Sequence, residues 1–213
     1  MDLTDKIGIG TAAPNEQLKI TGNFRSLAST ATTGLIMSDG NRFIHNFGTN
    51  NFFAGANAGN LTMIGICCNT GGGVDALTKN TTGFSNTAVG QSALSNTTTG
   101  AGDTVIGQGA RQFNTKGIQN TATVVAAIFS NTTGSDNTVA RFSALLANTA
   151  GSNNTAVEFG ADVSSSNLTN AIAIGNGGLV NARNKIHLGN GRVTVLGIVA
   201  DVFVEAQGLG IIL

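Results

Sequence analysis

The chain has 213 residues, of which 41% are hydrophobic and only 10% charged, with 11 basic residues balanced by 11 acidic ones. The charges are scattered singly, which excludes the basic stripe of a nucleic-acid-binding protein, so no nucleic-acid partner is expected. The apolar residues are mostly Ala and Val among 30 Gly, so each unit of structure can bury only a thin core and a monomer is expected to be marginal.

Met1 to Gly10 has no basic segment followed by an apolar run, so no secretory signal peptide is expected there. Ile7 and Ile9, then Leu18 and Ile20, alternate with small or polar residues. That period predicts two short strands, with a turn at Pro14-Asn15 between them. Further on, Ser38-Asp-Gly-Asn41 lies between the apolar runs Gly34 to Met37 and Arg42 to Phe47. Asp39-Gly40 in that setting predicts a β-hairpin. Residues 1–50 therefore read as an N-terminal strand and hairpin region.

From Asn51 a spacing of Gly, Ala and Asn begins that is one residue out of step at Gly55 and Ala58; it locks at Asn69 into a period of 17. Three columns then run unbroken: Gly83, Gly100, Gly117, Gly134, Gly151; Thr87, Thr104, Thr121, Thr138, Thr155; and Ala76, Ala93, Ala110, Ala127, Ala144, Ala161. A fourth reads Thr81, Thr98, Thr115, Thr132, Thr149, usually preceded by Asn. A fixed period is the mark of a repeat architecture. Seventeen residues are too few for a helix pair, and Asn, Thr and Gly are poor helix formers. The predicted fold is therefore all-β, a β-solenoid of 17-residue coils over residues 51–180. Coils about 4.8 Å apart would give a rod segment of roughly 30 Å. Stacked Asn and Thr would form ladders along the axis. Gly in the Asn-Thr-Thr-Gly turn would supply a positive φ.

Residues 181–213 are expected to cap the solenoid or dock onto another chain. The apolar stretch Val195 to Leu213 is interrupted by Asp201 and Glu205 and rich in β-branched residues, so it is not read as a membrane-spanning helix. A head-to-tail contact there would make filaments.

Asn86-Thr-Ala-Val-Gly-Gln-Ser-Ala-Leu94 followed by Asn-Thr-Thr, and Asn131-Thr-Thr-Gly-Ser-Asp-Asn-Thr138, resemble the repeats of bacterial and phage tail-fibre-like surface proteins. More distantly they are similar to the head repeats of trimeric autotransporter adhesins. Ile7 to Pro14, Gly160 to Asn170 and Asn184 to Asn190 also look like segments of such fibre proteins, so the resemblance covers most of the chain. It implies a homotrimer that is extracellular, on a cell surface or virion, and structural or adhesive, with a surface glycan or host receptor as a partner. Many of these proteins end in an endosialidase-type intramolecular chaperone, whose catalytic serine and lysine have no counterpart here. Two features depart from the group. The column of Gly73, Gly90 and Gly107 continues as Val124, Arg141 and Glu158 before Gly175, and 11 Phe occur with no Tyr or Trp.

No catalytic, cofactor-binding or metal site is assigned from the sequence, and no enzymatic activity is expected. Asp103, Asp136 and Asp162 could be imagined as a glycosidase pair, but Asp103 and Asp136 fall in different columns, at turn positions where Asp caps backbone. His45 and His187 lack ligand partners at metal-binding spacing. Gly71-Gly-Gly73 is not followed by the Gly-Lys-Ser/Thr of a phosphate loop. The adjacent Cys67 and Cys68 are read as packing residues or free thiols. Arg141 and Glu158, one repeat apart, are expected within ion-pair reach on adjacent coils. The sequons at Asn60, Asn80, Asn96, Asn131, Asn154 and Asn167 follow from the repeat chemistry and do not indicate glycosylation. The expected function is a structural or adhesive fibre subunit whose thin solenoids bury Ala and Val faces against one another. The alternatives are a glycan-binding or glycan-degrading tailspike, or an ice-binding Thr array, which the lack of a Thr-x-Thr pair on every strand disfavours.

Overall fold

The computed structural model describes residues 7–9, 18–20, 29–30, 32–38, 40–63 and 67–190. These form an all-β molecule with no helix, a β-solenoid of about eight turns. In chain order the first strands are β1 (Ile7–Ile9), β2 (Leu18–Ile20), β3 (Ile36–Ser38), β4 (Asn41–His45) and β5 (Phe52–Ala54). The repeat contributes β6 (Thr70–Gly72), β7 (Thr87–Val89), β8 (Thr104–Ile106), β9 (Thr121–Thr123), β10 (Thr138–Val139) and β11 (Thr155–Val157). After it come β12 (Asp162–Val163), β13 (Ala171–Ile174), β14 (Leu179–Val180) and β15 (Lys185–Leu188).

One sheet of 11 strands carries the architecture, in the order β15-β13-β11-β10-β9-β8-β7-β6-β5-β4-β3. From β5 to β15 every pairing in it is parallel, each coil laying its strand on the one before. Phe52 pairs with Thr70, a step of 18, and Thr70 then pairs with Thr87, a step of 17. The one-residue misfit in the sequence is thus a longer first coil. The last coil is shorter, Ala171 pairing with Lys185. At the start, β3 and β4 form the expected antiparallel hairpin, and β4 pairs antiparallel with β5. β1 and β2 are strands as expected, but they pair parallel, Ile7 with Leu18. A tight turn cannot join parallel strands; Pro14 and Asn15 lie outside the described residues, as does the stretch 191–213.

Each coil folds by the same sequence of local events. Its strand presents two outward residues around one inward one, Thr87 and Val89 around Ala88 in β7, because successive side chains alternate. The chain then reverses through two left-handed residues, such as Ser92 at φ 58° and Leu94 at φ 52°. Between and at these bends lie the Ala93 and Leu94 columns, fully buried in coil after coil. The Ala columns are therefore the inside of each solenoid. This corrects the expectation that Ala faces are buried between subunits: a single chain buries them already.

The ladders run along the axis as the sequence suggested. Thr98 Oγ1 donates to the Thr115 carbonyl at 3.0 Å and Thr115 Oγ1 to that of Thr132 at 3.1 Å. A buried ladder is built from Asn69, Asn86, Asn120, Asn137 and Asn154. Asn86 Oδ1 accepts the Asp103 N–H at 3.0 Å, and Asn137 Oδ1 accepts the Asn154 N–H at 3.0 Å. Each such bond satisfies a backbone donor that the thin core could not leave unpaired.

The invariant glycine of the Asn-Thr-Thr-Gly turn has a different cause from the one expected. Positive φ occurs two residues later, at Ser85 (55°), Gly102 (68°), Gln119 (56°) and Asp136 (57°), and not at Gly83, Gly100, Gly117 or Gly134. Those glycines are buried, and a Cβ on any of Gly83, Gly117 or Gly134 would strike the carbonyl oxygen of the glycine in the next coil. Coil stacking sets the constraint, and not turn geometry.

Candidate functional site

Two columns change chemistry in the same coil. In the Asn ladder the third position is Asp103, and in the column of Leu77, Leu94, Ile128 and Leu145 the third position is Arg111. Asp103 and Arg111 form an ion pair with both side chains fully buried. The arginine backbone takes the same left-handed bend as its neighbours, φ 50° against 52° at Leu94 and 48° at Ile128, so its side chain enters where a leucine would. Asp103 still serves the ladder: its Oδ1 accepts the Asn120 N–H at 2.9 Å. Unlike Asn, it cannot donate onward, and the local bonds are redistributed. Asn120 Nδ2 donates to Ile118 O at 2.7 Å, while Arg111 donates to Gly134 O at 3.4 Å. Asn114 Nδ2 donates to Gly117 O at 3.2 Å and lies 3.4 Å from Asp103 Oδ2.

Burial pushes the Asp103 carboxyl above its ordinary range, against the pull of the Arg111 charge and the Asn120 donors. Burial lowers Arg111, against the opposing pull of Asp103. The pair is held by mutual attraction in a place that resists either charge alone. The sequence reading placed Asp103 at a capping turn; it lies instead in the core ladder before β8. Its partner was not anticipated, although both departures stand out when the Asn and Leu columns are written side by side.

The other titratable groups are dispersed. Asp136 is exposed at a left-handed bend. Asp162 accepts the Ala147 N–H at 2.9 Å and that of Val163 at 2.8 Å, while burial raises its carboxyl. His45 is buried beside Phe53, ring centroids 4.9 Å apart, with Nε2 2.7 Å from the Ala58 carbonyl and Nδ1 accepting the Phe47 N–H at 3.3 Å. Burial holds its imidazole below the ordinary value, as does the charge of Arg42, while the Ala58 bond works the other way. His187 lies in β15, half-buried, opposite Ala173. Among the described residues no three His, Cys, Asp or Glu converge as metal ligands, and no helix is long and apolar enough to cross a membrane. Cys67 and Cys68 are free thiols, Cys67 half-buried and Cys68 exposed. Of the sequons, Asn80 and Asn131 are fully buried; Asn154, followed by Thr155-Ala156, is not one, and its amide serves the buried ladder.

Arg141 and Glu158 lie on adjacent coils as expected, but no ion pair joins them; the ion pair within the described residues is Arg111 with Asp103. Arg141 is exposed and Glu158 half-buried.

The outer face of the sheet carries a Thr column beside an aliphatic one. Val89, Ile106, Ile174 and Leu188 on that second column are each 40% or more exposed. On another side of the coil lies an open groove of about 610 Å³, lined by Lys79, Asn96, Thr98, Phe113, Thr115 and Thr132. Phe113 forms its apolar wall, packed edge-on against Phe129 at 4.9 Å, and Lys79 donates to Asn96 Oδ1 at 2.7 Å.

No family model, curated protein or solved structure matches the chain.

Proposed function

We propose that the chain is an assembly module of a structural or adhesive fibre, a homotrimer on a cell surface or virion that can extend head to tail. The observation that carries this reading is the outer column, where Val89 and Ile106 near one end and Ile174 and Leu188 near the other keep large aliphatic side chains in water, with Thr123, Ala140 and the half-buried Val157 between them. Exposed apolar surface of that kind marks a contact with another macromolecule. Beside it the Thr column repeats one residue level by level from Thr70 to Thr155, and a face that repeats in this way matches a parallel copy of itself. Association through this face also adds the burial that a thin core lacks. Enzymatic chemistry forms no part of the reading. Native mass is the test: the chain should sediment as a trimer, and Ile106→Lys, which puts a charge into the exposed aliphatic column, should release folded monomers. Unchanged assembly in that variant would sink this choice of face.

On the adhesive side, the groove beside Phe113 is the surface a surface glycan or host receptor would meet. It sets an apolar ring face beside the Thr hydroxyls, the Asn96 amide and the Lys79 ammonium, the mix of an apolar wall with a few polar groups that suits a ligand site. Phe113→Ala should abolish retention on an immobilised glycan panel that holds the native assembly. Equal retention of the two would remove the groove from the account.

A further inference from the structure

Two neighbouring columns change character over the same three coils. In the column of Gly73, Gly90 and Gly107, the glycines have φ between 126° and 140°. Val124, Arg141 and Glu158 then replace them, and Val124 and Glu158 keep the left-handed backbone at φ 103° and 94°. A side chain there is strained, and for a β-branched valine the conformation is an outlier. The adjoining column passes from Gln91 and Gln108 to Val125, Phe142 and Phe159, which are 39%, 45% and 54% exposed. Phe142 and Phe159 stack with centroids 5.9 Å apart and planes 10° from parallel, making an exposed apolar patch that spans two coils. Backbone strain and exposed apolar surface both cost the isolated chain. Their coincidence with one cation and one anion in the former glycine column marks a surface built to meet something.

We propose that this corner is a lateral contact between two copies of the chain running antiparallel. Arg141 of each copy lies against Glu158 of the other, and the stacked Phe142 and Phe159 pairs of the two copies pack together. The charge pattern selects this occupant and this orientation. Arg141 and Glu158 sit one coil apart and do not pair within the chain. A two-fold axis perpendicular to the solenoid, passing between their levels, brings each arginine to the partner's glutamate, and each phenylalanine to its counterpart one coil away. Such an isologous contact satisfies both charges at once. A two-fold axis along the solenoid would instead set arginine beside arginine and glutamate beside glutamate. The patch spans about 10 to 15 Å along the axis, too small to bury the roughly 800 Å² per partner of a standard stable interface. One contact is therefore weak, and several acting together along neighbouring fibres give the association its strength.

The contact goes beyond the fibre reading, because it is a step above the base assembly whatever that assembly's mass. Sedimentation velocity on the full chain reads it. Arg141→Glu and Glu158→Arg each place like charges together in both halves of the contact and should abolish the concentration-dependent association step. The double swap Arg141→Glu/Glu158→Arg restores opposite charges and should restore it. Association that persists in the single variants, or that the double swap fails to recover, overturns the proposal. Orientation is read by disulfide crosslinking in a Cys67→Ser/Cys68→Ser background. The antiparallel contact sets position 125 of one copy level with position 176 of the other. Chains carrying Val125→Cys should therefore crosslink to chains carrying Asn176→Cys and not to each other, and the crosslink should vanish when Arg141→Glu is added. Self-crosslinking of the Val125→Cys chains that Arg141→Glu removes would contradict it. A base assembly of unchanged mass in every variant separates a failure here from a failure of the fibre reading.

Discussion

Arg111→Leu alone should destabilise the solenoid by about 3–5 kcal/mol, whereas Asp103→Asn combined with Arg111→Leu should be neutral or stabilising by about 1–4 kcal/mol. The single change leaves the fully buried Asp103 carboxylate without its counter-charge, in a coil whose other groups are neutral amides and aliphatic side chains. Asp103→Asn alone strands a buried guanidinium and should cost a similar amount. The double change restores both columns to the pattern of the neighbouring coils. Asn at 103 can again donate along the ladder, as Asn86 does to the Gly100 carbonyl at 2.9 Å, and Leu at 111 packs as Leu94 and Leu145 do. Urea unfolding of the four proteins gives the cycle. Additive effects of the two single changes would mean that Asp103 and Arg111 do not depend on each other.

Gly134→Ala should cost about 3 kcal/mol, an overpacking penalty at the upper end of its usual range. Its Cβ would meet the Gly151 carbonyl oxygen, a main-chain atom tied into the next coil, so no side-chain adjustment relieves the clash. Val124→Gly should act in the opposite sense, stabilising the isolated chain by about 1 kcal/mol as the strain at φ 103° is released. Thermal unfolding of both variants checks the pair. A harmless alanine at 134 would show that coil spacing is looser than the glycine column requires.

Much of this architecture is legible in the residues. The Ala, Thr and Gly columns state the 17-residue period, and the extra residue between Asn51 and Asn69 appears as the 18-residue step from Phe52 to Thr70. The cause of each column is less legible. A glycine in a turn suggests positive φ, and only the stacked coils reveal that Gly117 and Gly134 are excluded from growing a side chain by the carbonyl above. Alanine columns suggest an intersubunit face because Ala buries little; the bends at Ser92 and Leu94 turn them inward. Asp103 and Arg111 are eight positions apart, on a strand edge and a bend, and nothing local in the sequence says that the coil closes one onto the other. Column comparison could have found them, since Asp103 is the one charged residue from Asn69 to Asn154 in its column and Arg111 the one from Leu77 to Leu145 in the other, which the next coil continues as Asp162. The pair Arg141 and Glu158 shows the converse. Correct placement on adjacent coils did not make an ion pair, because both replace glycines on an outward corner where the side chains are free to turn to solvent or to a partner.

We propose self-association as the role of this solenoid. Sedimentation equilibrium of the native chain across micromolar concentrations tests it most directly. The expected result is a base species of three times the chain mass, with a further association step at higher concentration. A folded monomer at every concentration, with the solenoid intact by circular dichroism, would contradict it.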